Sequence, residues 1–147
     1  MNDKINQMFL MKKGATKICD VIAQYLMSKF IFQTVSGKKM NEIYVYEDGI
    51  FVEKGKDIIE EESEKLLGDA SRTHMINEIR NKIERSTKCN RKSLGCADKK
   101  LICIKNGVLD ITTKILHKHS SDFRFMSKIP IDYIPEAHCG KVFNFLN

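Results

Sequence analysis

The sequence predicts an α+β domain, with N-terminal helices carrying a β-hairpin and then a small antiparallel β-meander. Three observations predict it. Apolar side chains recur every three or four positions in three separate stretches, the period of a helix buried along one face. The period drops to two around Asp48-Gly49 and again around Asn106-Gly107, dipeptides suited to two-residue hairpin turns. Finally, 147 residues with 42% hydrophobic side chains suffice for a single sizeable core.

Taken in order, residues 1–15 form an N-terminal arm. Met8, Phe9, Leu10 and Met11 precede Lys12-Lys13-Gly14, so the arm is either a short docked helix or a trailing segment. From Thr16, Ile18, Val21, Ile22, Tyr25 and Leu26 trace one helical face, with Lys17, Asp20, Gln24 and Lys29 opposite. Phe30 to Val35 alternates as a strand, Ser36-Gly37-Lys38 turns, and Ile43 to Tyr46 pairs through Asp48-Gly49 with Ile50-Phe51-Val52. Residues 56–67 return to helix: Ile58, Ile59, Leu66 and Leu67 make a stripe, and Gly68 can end it in a left-handed conformation. A third helix starts at Ser71 or Thr73, either able to cap it, and buries Met75, Ile76, Ile79 and Ile83.

Ser86 to Lys100 is polar, basic and interrupted by Gly95, which predicts a mobile connection. Leu101–Ile104, Val108–Ile111 and Ile115–His119 then read as short strands joined at Asn106-Gly107 and Thr112-Thr113-Lys114. Pro130 and Pro135 bracket an extended exit, Ile131 to Ile134. The domain therefore spans 16–140, and 141–147 reads as the first turn of a helix leading into a further domain.

Composition excludes several classes. With 30% charged residues, 2 Pro and 8 Gly, the chain is neither disordered nor collagen-like. No apolar run approaches the length needed to cross a bilayer, and Met1-Asn2-Asp3-Lys4 is not a signal peptide. Cys19, Cys89, Cys96, Cys103 and Cys139 are odd in number and scattered, which suits free thiols in a reducing, cytoplasmic compartment.

Charge is unevenly spread. Between Arg80 and Lys100 stand eight basic residues (Arg80, Lys82, Arg85, Lys88, Arg91, Lys92, Lys99, Lys100) and two acids, a net +6 that equals the charge of the whole chain. Residues 47–69 carry nine acids against three lysines. The basic stretch can contact phosphates along a nucleic-acid backbone. It can equally be a solvated face, or a partner for the acidic helix of a neighbouring subunit. Aromatic residues are missing from 80–100, so any nucleic-acid binding there would be to the backbone.

Catalytic signatures are absent. There is neither a G-x-x-x-x-G-K-[ST] loop nor a G-x-G-x-x-G turn for nucleotide phosphates, and no nucleotide cofactor is expected. Cys89, Cys96 and Cys103 stand seven apart, unlike zinc ligand pairs. His117 and His119 share a strand face and could meet Cys103 or Cys139, but the spacing misses the zinc pattern and solvated histidines with buried thiols account for them better, so no metal is assigned. Glu60-Glu61-Glu62 fans around a helix, as a solvated face does. His138-Cys139 lacks the geometry of a nucleophile and its base.

The C-terminal half carries a resemblance. Leu101 to Thr113, LICIKNGVLDITT, resembles the N-G-V-L-D-L-x-T-G stretch of phage and plasmid primase–helicases. His119 to Phe125 is similar to the H-S-P segment that follows it there, and Ile129 to Cys139 to the closing L-P-V-x-Y-D-P-x-A-x-C-P. Upstream, Glu42 to Phe51 resembles Y-x-Y-x-D-G-x-Y/W, and Asn77-Glu78-Ile79 the helix N-E-V. Thr113-Lys114 in place of Thr-Gly, and Gly140 in place of Pro, depart from the pattern. The pieces run in order from about Ile18 to Leu146. They identify the chain as resembling the N-terminal domain of poxvirus- and phage-type primase–helicases, between a primase module and a superfamily 3 AAA+ helicase core.

That resemblance implies a non-catalytic replication domain of viral or plasmid origin, placed in the host cytoplasm if viral. Its implied partners are DNA, the adjoining helicase domain and further copies in a ring, with ATP binding and hydrolysis in the full-length protein only. It supplies no catalytic residues. A collar without DNA affinity remains the alternative.

Overall fold

A computed structural model describes residues 3, 5, 7, 14–38, 40–95 and 98–136. Among them, Asp3, Ile5 and Gln7 are helical, and the helices α1 (Ala15–Lys29), α2 (Gly55–Leu67) and α3 (Thr73–Ser86) follow. Strands β1 (Phe32–Val35), β2 (Glu42–Glu47), β3 (Ile50–Val52) and β4 (Lys88–Cys89) build a sheet ordered β3-β2-β1-β4. Strands β5 (Leu101–Ile104), β6 (Gly107–Asp110) and β7 (Leu116–His117) build the antiparallel meander. The α+β class and the meander are as the sequence predicts.

Strand alternation gives the first sheet two different faces. Phe32, Ile43, Val45 and Val52 point to one side and pack with Ile18, Ile22 and Leu26 of α1, Ile59 and Leu67 of α2, and Met75, Ile79 and Ile83 of α3. Each fully buried isoleucine here contributes roughly 1.5–3 kcal/mol relative to an exposed one. Ile5 of the N-terminal arm is fully buried in the same core, while Met8 to Met11 lie outside the described residues. Val35, Tyr44 and Phe51 point to the opposite, helix-free face, where Tyr46, Cys89 and Leu94 pack against them.

The hairpin turn at Asp48-Gly49 forms as expected, with φ of 48° and 91°. Gly49 is also where the meander docks. The His119 ring lies 2.9 Å from where a Cβ would stand, the Cys103 thiol donates to the Gly49 carbonyl at 3.8 Å, and Phe51 N–H donates to Phe125 C=O at 2.7 Å. Lys128 closes the junction by binding both the carboxylate and the carbonyl of Asp48.

Four local expectations differ from the structure. Residues 86–95 are not a loose connection: β4 pairs in parallel with β1, and Thr34 N–H donates to Thr87 C=O at 2.8 Å. A 3₁₀ turn at Arg91–Ser93 follows, capped by the Asn90 side chain. Only Cys89 and Leu94 are apolar in that run, too few to register as a period. The second hairpin turns at Lys105-Asn106, one residue early, because Ile104 pairs with Gly107. Asn106 uses its amide instead to exchange two 3.0 Å hydrogen bonds with the Tyr133 backbone. Helix α3 begins after Arg72 with no side-chain cap; the Arg72 guanidinium turns back onto the Asp69 and Ser71 carbonyls. Gly68 does end α2 with positive φ, 53°, but with ψ of −133° it leads into a 3₁₀ turn rather than a left-handed cap.

Candidate nucleic-acid interface

The eight basic residues of the 80–100 stretch fall into two groups. The first is absorbed by the fold. Arg80 on α3 pairs with Glu60 of α2 at 3.2 Å and with Glu84 at 3.9 Å, and donates to Asn77. Lys82 pairs with Asp20 of α1 and with Glu78, and the Asp20 carboxylate raises its pKa. Arg91 donates to the Glu42 carboxylate at 2.6 Å, and Tyr44 O–H donates to the other oxygen at 2.9 Å. These two hydrogen bonds, Arg91 first, hold the Glu42 carboxyl below its ordinary range. Arg80 and Lys82 thus tie the helices together, and Arg91 ties the basic segment to the helix-free face of the sheet.

The second group is Arg85, Lys88, Lys92, Lys99 and Lys100. All five are exposed, and none forms an ion pair among the described residues. Arg85 ends α3, Lys88 lies on the edge strand β4, Lys92 sits in the 3₁₀ turn, and Lys99 and Lys100 turn into β5. Ile111 N–H donates to Lys100 C=O at 2.9 Å, which joins that turn to the far end of the meander.

Tertiary structure adds residues that charge counting over 80–100 passes over. Ser120 caps a 3₁₀ turn at Ser121–Phe123, and Arg124 ends it with left-handed φ, 55°. From there the Arg124 guanidinium donates to Ser93 C=O at 3.2 Å, and its own carbonyl accepts from Gly95 N–H at 2.9 Å. The exposed Arg124 is therefore fastened to the basic segment from 31 positions away. The signal available in the sequence was Phe123-Arg124-Phe125, an arginine between two aromatic rings.

The chemically reactive candidates have other partners. His119 Nε2 donates to Ile104 C=O at 2.9 Å, and His117 packs against the Phe123 ring, so the two imidazoles serve different contacts. Cys19, Cys89 and Cys103 are free thiols. Burial, then the nearby Glu78, pushes the Cys19 thiol up to about 11, and burial raises Cys103 as well, so neither is poised as a nucleophile. No group of three His, Cys, Asp or Glu able to hold a metal is found among the described residues; Cys96, His138 and Cys139 lie outside them. Glu60, Glu61 and Glu62 engage Arg80, Lys65 and Lys29 respectively, as side chains spread around a helix do. No described helix is long and apolar enough to cross a membrane.

No curated protein matches the chain. A family model described as D5 N terminal like matches residues 11–147, nearly the whole length, which agrees with the order of motifs from Glu42 to Cys139. The chain belongs to that family, the pre-helicase domain of D5-type primase–helicase proteins.

Proposed function

We propose that this domain contacts the DNA backbone during replication, through Arg85, Lys88, Lys92, Lys99 and Lys100, and helps its helicase assemble. Arg80, Lys82 and Arg91 contribute through the positive field while holding the fold. The observation that carries the reading is the division just described: Arg80, Lys82 and Arg91 are matched by carboxylates, whereas Arg85 at the end of α3 and the four lysines of the connecting segment are exposed and form no ion pair among the described residues. Cations in that state neutralise phosphates and release counterions. Catalysis, ATP binding and hydrolysis belong to the helicase and primase modules of the full-length protein, in a viral or plasmid setting. The domain itself binds and positions.

A fluorescence-anisotropy titration at two salt concentrations tests this, with Lys88, Lys92, Lys99 and Lys100 together changed to Glu in a second protein. Binding that weakens steeply with salt and is lost in the variant is the expected result. Equal affinity of the two proteins would sink the proposal.

A second reading, a collar assembled from copies of this chain without DNA affinity, is favoured by one observation. Seven large apolar residues between Ile111 and Ile134, among them Ile115, Leu116, Ile129 and Ile131, are exposed. Concentration-dependent mass that persists in high salt, without DNA binding, would support it. Association through the acidic and basic poles would instead dissolve with salt.

A further inference from the structure

We infer that His117 and Phe123 form a stacking platform for unpaired bases beside the basic segment, so that the nucleic acid held there is single-stranded. The inference rests on the backbone-contact reading above and adds the form of the ligand. Rings and cations that are far apart in sequence are brought together here. The His117 and Phe123 centroids are 6.1 Å apart at 51°, and Phe123 and Phe125 follow at 6.4 Å and 43°. His117 is exposed on β7, the last strand of the meander, and Phe123 is half-buried, held by the Ser120-capped turn. The next residue, Arg124, is bonded to Ser93 and Gly95, so the ring pair is fixed to the turn that carries Lys92.

That pairing of an exposed imidazole and a half-buried ring with cations that form no ion pair among the described residues has a specific ligand chemistry. A duplex keeps its base faces stacked on one another and offers only phosphates and groove edges. A single strand offers phosphates together with free base faces, which stack on aromatic rings with little regard to sequence. Arg124, next in sequence to Phe123 and exposed, adds a cation whose guanidinium is held at the Ser93 carbonyl. The platform therefore discriminates strand form, while the lysines supply most of the affinity.

The test uses the whole chain and four probes of equal length: oligo-dT, oligo-U, an abasic strand with the same phosphates, and a blunt duplex. The variants are His117→Ala and Phe123→Leu, the second keeping apolar volume while removing the ring; thermal melting confirms that each folds. Wild type is expected to bind oligo-dT more tightly than the abasic strand or the duplex. Each variant is expected to lose about tenfold on oligo-dT, with abasic and duplex affinities unchanged. Oligo-U bound as well as oligo-dT supports the platform and shows that it accepts either sugar; oligo-U bound no better than the abasic strand supports a platform restricted to DNA. Equal binding of oligo-dT, abasic strand and duplex, or no effect of His117→Ala even if Phe123→Leu unfolds, overturns the platform and leaves backbone contact standing. Absence of binding to every probe at low salt overturns both.

Discussion

The helical side of the first sheet and the meander are built from similar residues with opposite outcomes. Ile18, Ile22, Ile43, Ile59, Ile79 and Ile83 are all within 1% of complete burial, closed between three helices and the sheet. In the meander and its exit, Ile104 and Val108 are buried, while Ile111, Ile115, Ile129, Ile131 and Ile134 are between 46% and 62% exposed. Helices cover the first region. The second has no α-helix among the described residues and is held to the first by hydrogen bonds at Asp48 and Gly49, at Phe51, and between Arg124 and both Ser93 and Gly95. Stability is thus concentrated in one half and exposed apolar surface in the other, and the candidate site runs along the boundary, from Arg85 and Lys88 of the first to Lys99, Lys100 and Arg124 of the second.

Removing the same atoms in each region sharpens the contrast most. Ile79→Ala is expected to cost about 2–5 kcal/mol in urea unfolding, because a fully buried side chain leaves a cavity. Ile131→Ala, at 58% exposure, is expected to change stability by less than about 0.5 kcal/mol. Similar losses would show that the meander buries its isoleucines in solution.

The junction is the next place to press. Gly49→Ala places a methyl against the His119 ring at a residue with φ of 91°, and is expected to cost more than about 1 kcal/mol. Hydrogen exchange should show Cys103 and Val108 amides losing protection before those of Ile79 and Ile83. Uniform loss would mean that the two regions unfold as one unit.

Acid gives the smallest effect. Asp48, hydrogen-bonded by Lys128, and Glu42, hydrogen-bonded by Arg91, both have folded pKa values below their ordinary 3.8 and 4.5. Their contribution is present above those ordinary values and is lost as pH falls through the lowered ones. The urea midpoint should therefore drop below about pH 4.5, and drop less in Asp48→Asn and Glu42→Gln, whose side chains do not titrate. An identical decline in wild type and variants would show these pairs to be inert.

The fold was largely legible because its signals are local. Ile18-Ile22-Leu26, Met75-Ile79-Ile83 and the Asp48-Gly49 turn each declare period or turn type within a few residues. Ser63, fully buried on α2 between Ile59 and Leu67, was hidden because a serine does not mark an apolar face. The candidate site was legible only as charge. Eight basic residues were visible, but nothing near Arg80, Lys82 or Arg91 in the sequence tells that Glu60, Asp20 and Glu42 would occupy them.

What the sequence determined by itself is the class, the order of the three helices and of every strand except β4, the acidic and basic poles, and the motif order of the family. These depend on residue type and short spacing alone. Only the tertiary structure decided which cations remain unmatched, that Asn106 clamps Tyr133 rather than shaping its turn, and that His117, Phe123 and Arg124 meet the basic segment. The contacts involved join residues 49 apart at Glu42 and Arg91, 31 apart at Ser93 and Arg124, and 80 apart at Asp48 and Lys128. Such pairings depend on how the sheets close against each other, and no local period encodes that closure.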